Sequence, residues 1–458
     1  MDFVRPISRY LAVPLFAWRN RSADYRYVAE SERAQYLSTE QLERQQLEAL
    51  RNILIHARDH CPYYTRQFAE IGFVPEKVTS PADIRALPLI TKQDIQQHRE
   101  EMTARSIPRE KLITNQTGGS TGAPLKFYHD PDCMYRRRAS TIRHDRWAGL
   151  HMWDKAASIW GNRRDFLPPT GTLSKIRNSV IDRRVVLDTS DMNAGKLAAF
   201  VELLKQEQPT VYVAYANAVY LLARYIKEKG LRNYHRPKSI ITSAELLSEE
   251  QRQVIESVFE CRVFDRYGCR EVSVIASECE AHNGLHLCAD RLLVEFVKPD
   301  GPCRPDELGN IVITDLYNYG MPFIRYQIKD MGSFTDRACS CGRTLPLMNM
   351  IGGRVTDFLV TPDGRVVSGA AMTIYFVATI PGVAQAQLVQ KEKNLLLLRL
   401  VRGAEFDAGS DGKIKAAVHK FFGPDMRYEV DFVDEIPLEA SGKYRFSISE
   451  IDPLEYLI

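Results

Sequence analysis

The chain has 458 residues, 45% hydrophobic and 26% charged, with a formal net charge of +3. That length buries a large core and is expected to divide into two or three domains of ordinary globular composition. So small a charge excludes nucleic acid as the expected partner, since the one basic cluster, Arg136-Arg137-Arg138, is short and reads as a solvated helix face. Nine cysteines scattered through the chain argue against a disulfide framework and for a reducing compartment, the cytoplasm.

At the N-terminus, Tyr10-Leu-Ala-Val-Pro-Leu-Phe-Ala-Trp18 is apolar but interrupted by Pro14 and half the length needed to span a bilayer. It lacks a small-residue cleavage site. With Arg5, Arg9, Arg19 and Arg21 around it, the expectation is a helix packed on the body, with an anionic surface as the alternative. From Thr39 to His60, Leu42, Leu47, Leu50, Leu54 and Ala57 recur at helical spacing, with Thr39 placed as the cap. Thr91 to Asp94 starts a further helix.

Between Leu112-Ile113-Thr114 and Leu125-Lys-Phe-Tyr128, both strand-like, lies Thr117-Gly-Gly-Ser-Thr-Gly-Ala-Pro. Glycines 118, 119 and 122 let the backbone approach an anion closely, and Thr117, Ser120 and Thr121 add hydroxyls, so the turn is a candidate phosphate cradle. It fits neither G-x-x-x-x-G-K-[ST] nor G-x-G-x-x-G.

From Pro131 to Phe264, short apolar runs (156–160, 185–187, 211–215, 239–242, 262–264) alternate with helical patterns, the last of them opened by a Ser248/Gln251 capping box. This alternation predicts an α/β core with a largely parallel sheet, whose ligands sit beyond the carboxyl ends of the strands. Tyr267-Gly-Cys-Arg-Glu271 follows such a strand directly. Downstream, 292–297, 309–315 and 323–328 read as strands without long helices, a small β-barrel-like subdomain. After Arg354, strands at 358–360, 395–401 and 428–433 around a helix at 411–422 predict a separate α+β domain. The expected division is an N-terminal core of residues 1–353 and a C-terminal lid of residues 354–458.

The glycine-rich loop, Tyr267 to Glu271, Tyr326-Gln-Ile-Lys-Asp330, Gly353-Arg354 and Ser441-Gly-Lys443 stand in an order that resembles the adenylate-forming superfamily of acyl-CoA synthetases, luciferases and adenylation domains. The short loop followed by Phe127-Tyr128 is similar to its phenylacetate-CoA ligase-like branch, which includes CapK-like capsular polysaccharide proteins. The resemblance runs from about Leu37 to the end. It implies ATP bound through Thr117, Gly118, Gly119, Ser120, Thr121, Gly122, Tyr267, Gly268, Asp330 and Arg354. Glu271 would hold Mg2+, an ion that prefers oxygen ligands. Asp330 would accept from the ribose hydroxyls, and Lys443, on a mobile loop, would enter the site to stabilise developing charge. Glu271 and Lys443 are the expected catalytic residues. Here Ile328-Lys329 stands where the family has Thr-Gly, and Thr356 where it has a hinge acid. The acid slot falls on Trp160-Gly161, Tyr212 to Asn217 and Ser243-Ala-Glu245.

Cys279-x-x-His282 with Cys339-Ser-Cys341 supplies three thiolates and an imidazole, a tetrahedral zinc set of structural character, with His286 and Cys288 as rival ligands. The activity implied is activation of an aryl or acyl carboxylic acid as its adenylate and transfer to CoA. The alternatives are transfer to an amine, a sugar or a carrier protein in capsular or exopolysaccharide synthesis, and a non-catalytic nucleotide-binding homologue. The expected cofactors are ATP, Mg2+, CoA and structural Zn2+, with a small carboxylic acid as substrate.

Overall fold

The computed structural model describes residues 2–19, 24–117, 125–161, 171–189, 192–298, 301–352, 355–356, 358–368, 380, 382–403, 406–436 and 445–451. The helix Thr39–His60 forms as its periodicity predicts, turning Leu50, Ile53, Leu54 and Ala57 into the core. Its cap is Ser38, one residue before the expected Thr39: the Ser38 hydroxyl accepts the Gln41 N–H at 3.2 Å, and Gln41 Oε1 accepts the Ser38 N–H at 3.0 Å. A reciprocal pair satisfies two backbone donors at once, which a cap at Thr39 would not.

Strands β1 (Ile113–Gln116) and β2 (Lys126–His129) pair antiparallel on either side of the glycine-rich segment. The helix Pro131–Trp147 follows, capped by Asp130. Then β3 (Ala156–Trp160), β4 (Arg184–Asp188), β5 (Val211–Tyr215), β6 (Ser239–Ser243) and β7 (Arg262–Cys269) line up in the order β4-β3-β5-β6-β7, all parallel. β5 is buried throughout, as a strand covered on both faces must be. Helices Ala194–Glu207, Ala216–Glu228 and Glu249–Phe259 supply the covering side chains, among them Phe200, Leu222 and Phe259.

β7 joins the two halves of this sheet. Its first residues pair parallel with β6, and Arg266 to Cys269 pair antiparallel with β8 (Ser273–Glu278). The antiparallel half continues through β9 (Leu285–Leu287), β10 (Leu292–Lys298), β11 (Gly301–Pro302), β12 (Gly309–Asp315), β13 (Tyr326–Thr335) and β14 (Leu347–Gly352). Its spatial order is β8-β9-β14-β13-β12-β10-β11, so the predicted barrel-like region is an extension of one twelve-stranded sheet.

β15 (Val355–Thr356), β16 (Phe358–Val360) and β17 (Val366–Ser368) lead into β18 (Val383–Glu392), β19 (Leu395–Arg402), the helix Ser410–Phe422, β20 (Arg427–Phe432) and β21 (Arg445–Ser449). Five of these form the sheet β15-β21-β18-β19-β20 over a core that includes Leu388, Leu398, Val418 and Phe422. The hairpin β16–β17 is shared between cores: Phe358, Val360 and Val366 face the N-terminal one, Leu359 and Val367 the C-terminal one. Strand alternation makes this possible, since successive side chains leave opposite faces. Gln390 fastens the hairpin by accepting the Val360 N–H at 2.7 Å and donating to its carbonyl at 2.6 Å.

No helix among the described residues is long and apolar enough to cross a membrane.

Candidate active site

The carboxyl ends of β3, β5, β6 and β7 present Trp160, Tyr215, Ser243 and the turn after β7 along one edge. The rings of Trp160 and Tyr215, on the neighbouring strands β3 and β5, have centroids 4.3 Å apart at 44°. Tyr212, at the start of the segment expected to border the acid slot, packs its ring against Phe259, and its hydroxyl meets His235 Nδ1 at 2.9 Å. Glu245 Oε2 accepts the Asn217 N–H at 2.9 Å, at the first turn of the helix after β5. The preceding Ala244 holds a left-handed φ of 70°, a strained setting for a residue with a side chain, of the kind that gathers at functional edges.

The two tyrosine-led motifs meet and exchange partners. The Tyr267 hydroxyl donates to Asp330 Oδ2 at 2.9 Å, and the Tyr326 hydroxyl donates to Glu271 Oε1 at 2.9 Å. Each carboxylate is thus oriented by the other motif's tyrosine. Burial, together with the charges of Glu271 and Asp330, pushes the pKa of the Cys269 thiol well above the ordinary thiol range. Gly268 follows a register shift in the β7–β8 pairing, and a Cβ there would stand 2.5 Å from the Ser273 carbonyl oxygen. Glycine is required by this close approach.

The main chain at Glu271 is fixed from behind. Arg137 donates to the Glu271 carbonyl at 2.6 Å and to the Arg270 carbonyl at 2.9 Å, and His129 Nε2 also lies 2.9 Å from the Glu271 carbonyl. Burial and the neighbouring guanidinium lower the His129 pKa far below the usual imidazole value, so it is neutral. His129 ends β2, so the strand leaving the glycine-rich loop is tied to the Glu271 turn. Arg136-Arg137-Arg138 is therefore not a solvated face. Arg137 is buried in this clamp and Arg136 is stacked between the rings of Tyr27 and Tyr317; Arg138 alone of the three is exposed. Helical spacing had no means of distinguishing three consecutive arginines, because each points in a different direction.

Thr117 closes the neck of the loop: its N–H donates to the Leu125 carbonyl at 2.9 Å and its hydroxyl oxygen accepts the Leu125 N–H at 2.9 Å. Gly118, Gly119, Ser120, Thr121, Gly122, Arg354 and Lys443 lie outside the described residues.

A second cluster is separate from this edge. The ligand atoms of Cys279, His286, Cys339 and Cys341 all lie within 4.8 Å of one another. Cys279 and Cys339 have sulfurs 3.6 Å apart, far too long for a disulfide and close to the roughly 3.8 Å edge of a tetrahedron with about 2.3 Å zinc–sulfur bonds. His286 Nδ1 is 2.8 Å from the Leu345 carbonyl, which assigns the proton to Nδ1 and leaves the Nε2 lone pair facing Cys341 Sγ at 3.3 Å. The Ala281 and Arg343 N–H groups each donate to a cluster sulfur at 3.4 Å. His282, the histidine first chosen for this set, is not in it. Its Nδ1 meets Glu278 Oε2 at 3.2 Å and its ring packs on Phe264. The three-residue spacing from Cys279 leads into a tight turn with His282 at a φ of 50°, whereas His286 returns on β9 beside β14. Cys288, the other rival, bonds toward His144 instead.

Residues 359–450 match the CapK C-terminal domain family. The chain is 24% identical over 415 residues to protein CapK of Staphylococcus aureus, covering 90% of this chain and 89% of that one. It is 27% identical over 330 residues to the phenylacetate-coenzyme A ligase of Pseudomonas putida, covering 70% and 73%. Among solved structures, 2-hydroxyisobutyryl-CoA ligase in complex with 2-HIB-AMP and CoA superimposes with a TM-score of 0.63 at 19% identity, over 91% of this chain and 92% of that one.

Proposed function

We propose that the chain, similar to CapK over 90% of its length and to a phenylacetate-CoA ligase over 70%, is an adenylate-forming enzyme that activates a carboxylic acid with ATP and passes the acyl group to CoA. In the first step the acid's carboxylate oxygen attacks the α-phosphorus of ATP and pyrophosphate leaves. In the second the thiol sulfur attacks the acyl carbon, AMP leaves and a thioester forms.

The observation that carries this reading is the reciprocal pairing of Tyr267 with Asp330 and Tyr326 with Glu271. A carboxylate accepts from a vicinal diol with both oxygens, so Asp330, steadied by Tyr267, is suited to the ribose. Glu271 offers hard oxygen donors at a fixed place beside it, which suits Mg2+, whose charge would offset that of the phosphates. The glycine-rich segment would supply backbone donors to the phosphates, and Lys443 and Arg354 would come from the C-terminal side, with residues 354–458 acting as a lid. The acid would lie against Trp160 and Tyr215.

The cysteine cluster fits zinc in donor type, spacing and histidine tautomer, with Cys279, His286, Cys339 and Cys341 as its holders. Its role would be structural, pinning β8, β9 and the 339–341 turn together away from the acid slot.

A second acceptor is favoured by one finding: the match to CapK runs through 90% of the chain, while the match to the phenylacetate-CoA ligase stops at 70%. Acyl transfer to an amine, a sugar or a carrier-protein arm is therefore the competing reading. Measuring AMP release and acyl-adenylate by chromatography, with and without CoA, separates them. Thioester formation with stoichiometric CoA consumption supports the ligase, and adenylate that persists in the presence of CoA supports the other acceptor.

A further inference from the structure

Residues 4–19 form a helical run, Val4–Ile7, Ser8–Ala12 and Val13–Arg19, that packs on the body by its small side only. Ser8, Val13 and Ala17 are buried, while Phe3, Ile7, Tyr10, Leu11, Leu15 and Trp18 are 51–80% exposed. Phe3, Ile7, Leu11, Leu15 and Trp18 recur every three or four residues, with Tyr10 beside Leu11, so the six line one broad face. They are six of the fifteen large hydrophobic side chains that are exposed among the described residues, concentrated in a segment of nineteen. Scattered exposed leucines are ordinary, but a contiguous stripe of this kind marks a surface that something covers.

The charges around the stripe identify the cover. Between Phe3 and Arg19 the sequence carries Arg5, Arg9 and Arg19 and no acidic residue. The adjoining helix Thr172–Arg177 adds exposed Lys175 and Arg177, with exposed Ile176 between them. Asp2 pairs with Arg183 at 2.5 Å, Asp154 with Arg5 at 2.6 Å and Asp182 with Arg177 at 2.9 Å, so the charge offered to a surface comes from Arg9, Arg19 and Lys175. A second copy of the chain laid face to face would set arginines against arginines. An anionic lipid surface would instead take the apolar stripe among its acyl chains and the guanidinium groups at its headgroups, with Tyr10 and Trp18 at the level where amphipathic rings settle.

We infer that this helix is an in-plane anchor that docks the protein on anionic lipid bilayers. The full-length protein should sediment with vesicles containing phosphatidylglycerol at least about tenfold more tightly than with vesicles of phosphatidylcholine alone, the preference shrinking as salt is raised. Trp18 emission should shift to the blue on binding, and Trp18→Phe should remove that shift. Paired substitutions Leu11→Glu and Leu15→Glu, at positions that are already solvent-facing, should reduce binding at least about tenfold with the melting temperature unchanged. Arg9→Glu with Arg19→Glu should abolish the preference for the anionic vesicles. The inference is overturned by absence of binding, by equal affinity for both vesicle types, by binding that survives the leucine substitutions, or by a soluble dimer that those substitutions dissociate.

Discussion

Replacing Tyr326 with phenylalanine removes one hydroxyl and little else. The side chain is 3% exposed and its ring lies 5.3 Å from that of Phe323, so phenylalanine fills the same space. What is lost is the 2.9 Å donation to Glu271 Oε1. A hydrogen bond to a charged group contributes about 1.5–3 kcal/mol. The backbone at Glu271 stays fixed by Arg137 and His129, so the loss falls on the orientation of the carboxylate rather than on the fold. If that carboxylate holds Mg2+ against ATP, acid-dependent pyrophosphate exchange should fall by about 10- to 100-fold, since each 1.36 kcal/mol is tenfold in rate. The deficit should narrow as Mg2+ is raised, and the melting temperature should barely move. In a Glu271→Gln background the same substitution should cost little, because the partner that made it matter is gone. Exchange at the wild-type rate at every Mg2+ concentration, or an undiminished penalty in the Glu271→Gln background, would refute the assignment.

Further outcomes are expected elsewhere in the molecule. Lys443→Ala should reduce adenylation by about 10²–10³-fold while leaving ATP affinity nearly intact, because the lysine would meet charge that appears only in the transition state; equal losses in binding and rate would mean it serves the ground state. Protein purified without added metal should carry one zinc per chain by elemental analysis. His286→Ala should release the zinc and lower the melting temperature, whereas His282→Ala should retain it, and the reverse pattern would sink the ligand set. Asp265 is partly buried beside Glu278, and desolvation first, then that neighbouring charge, raises its pKa to about 7. Its folded form therefore holds a proton that the unfolded chain has already released, so stability should fall as pH rises from about 4 to 7, by up to about 4 kcal/mol from this group. Denaturation of Asp265→Asn across that range should show the variant gaining on the wild type toward neutral pH; a pH-independent difference would contradict the burial argument.

The sequence made the parallel half of the sheet legible because each strand there is a short apolar run bounded by an amphipathic helix, and Ser248 with Gln251 marks a helix start without tertiary help. It did not show that β7 carries the sheet from parallel to antiparallel, since that depends on partners far apart in the chain. The two motifs around Glu271 and Asp330 were recognisable one at a time, but their exchange of tyrosines is a fact of three-dimensional register. Arg137 was misread because a buried arginine is decided by what surrounds it, here two carbonyls and a neutral histidine. His282 was preferred to His286 on spacing alone, yet which imidazole reaches the sulfurs is set by the turn at His282 and the pairing of β9 with β14. Likewise the N-terminal segment read as packed, and it is, but by its small residues with its large ones outward.

The most direct test of the central claim is ATP–pyrophosphate exchange by the full-length protein with Mg2+, across a panel of aryl, hydroxy and short-chain carboxylic acids. Adenylate formation predicts exchange that depends on one class of acid, needs Mg2+ and is lost in Glu271→Gln. Folded protein that binds ATP yet exchanges no pyrophosphate with any acid in the panel would contradict it, and would leave the fold as a nucleotide-binding scaffold.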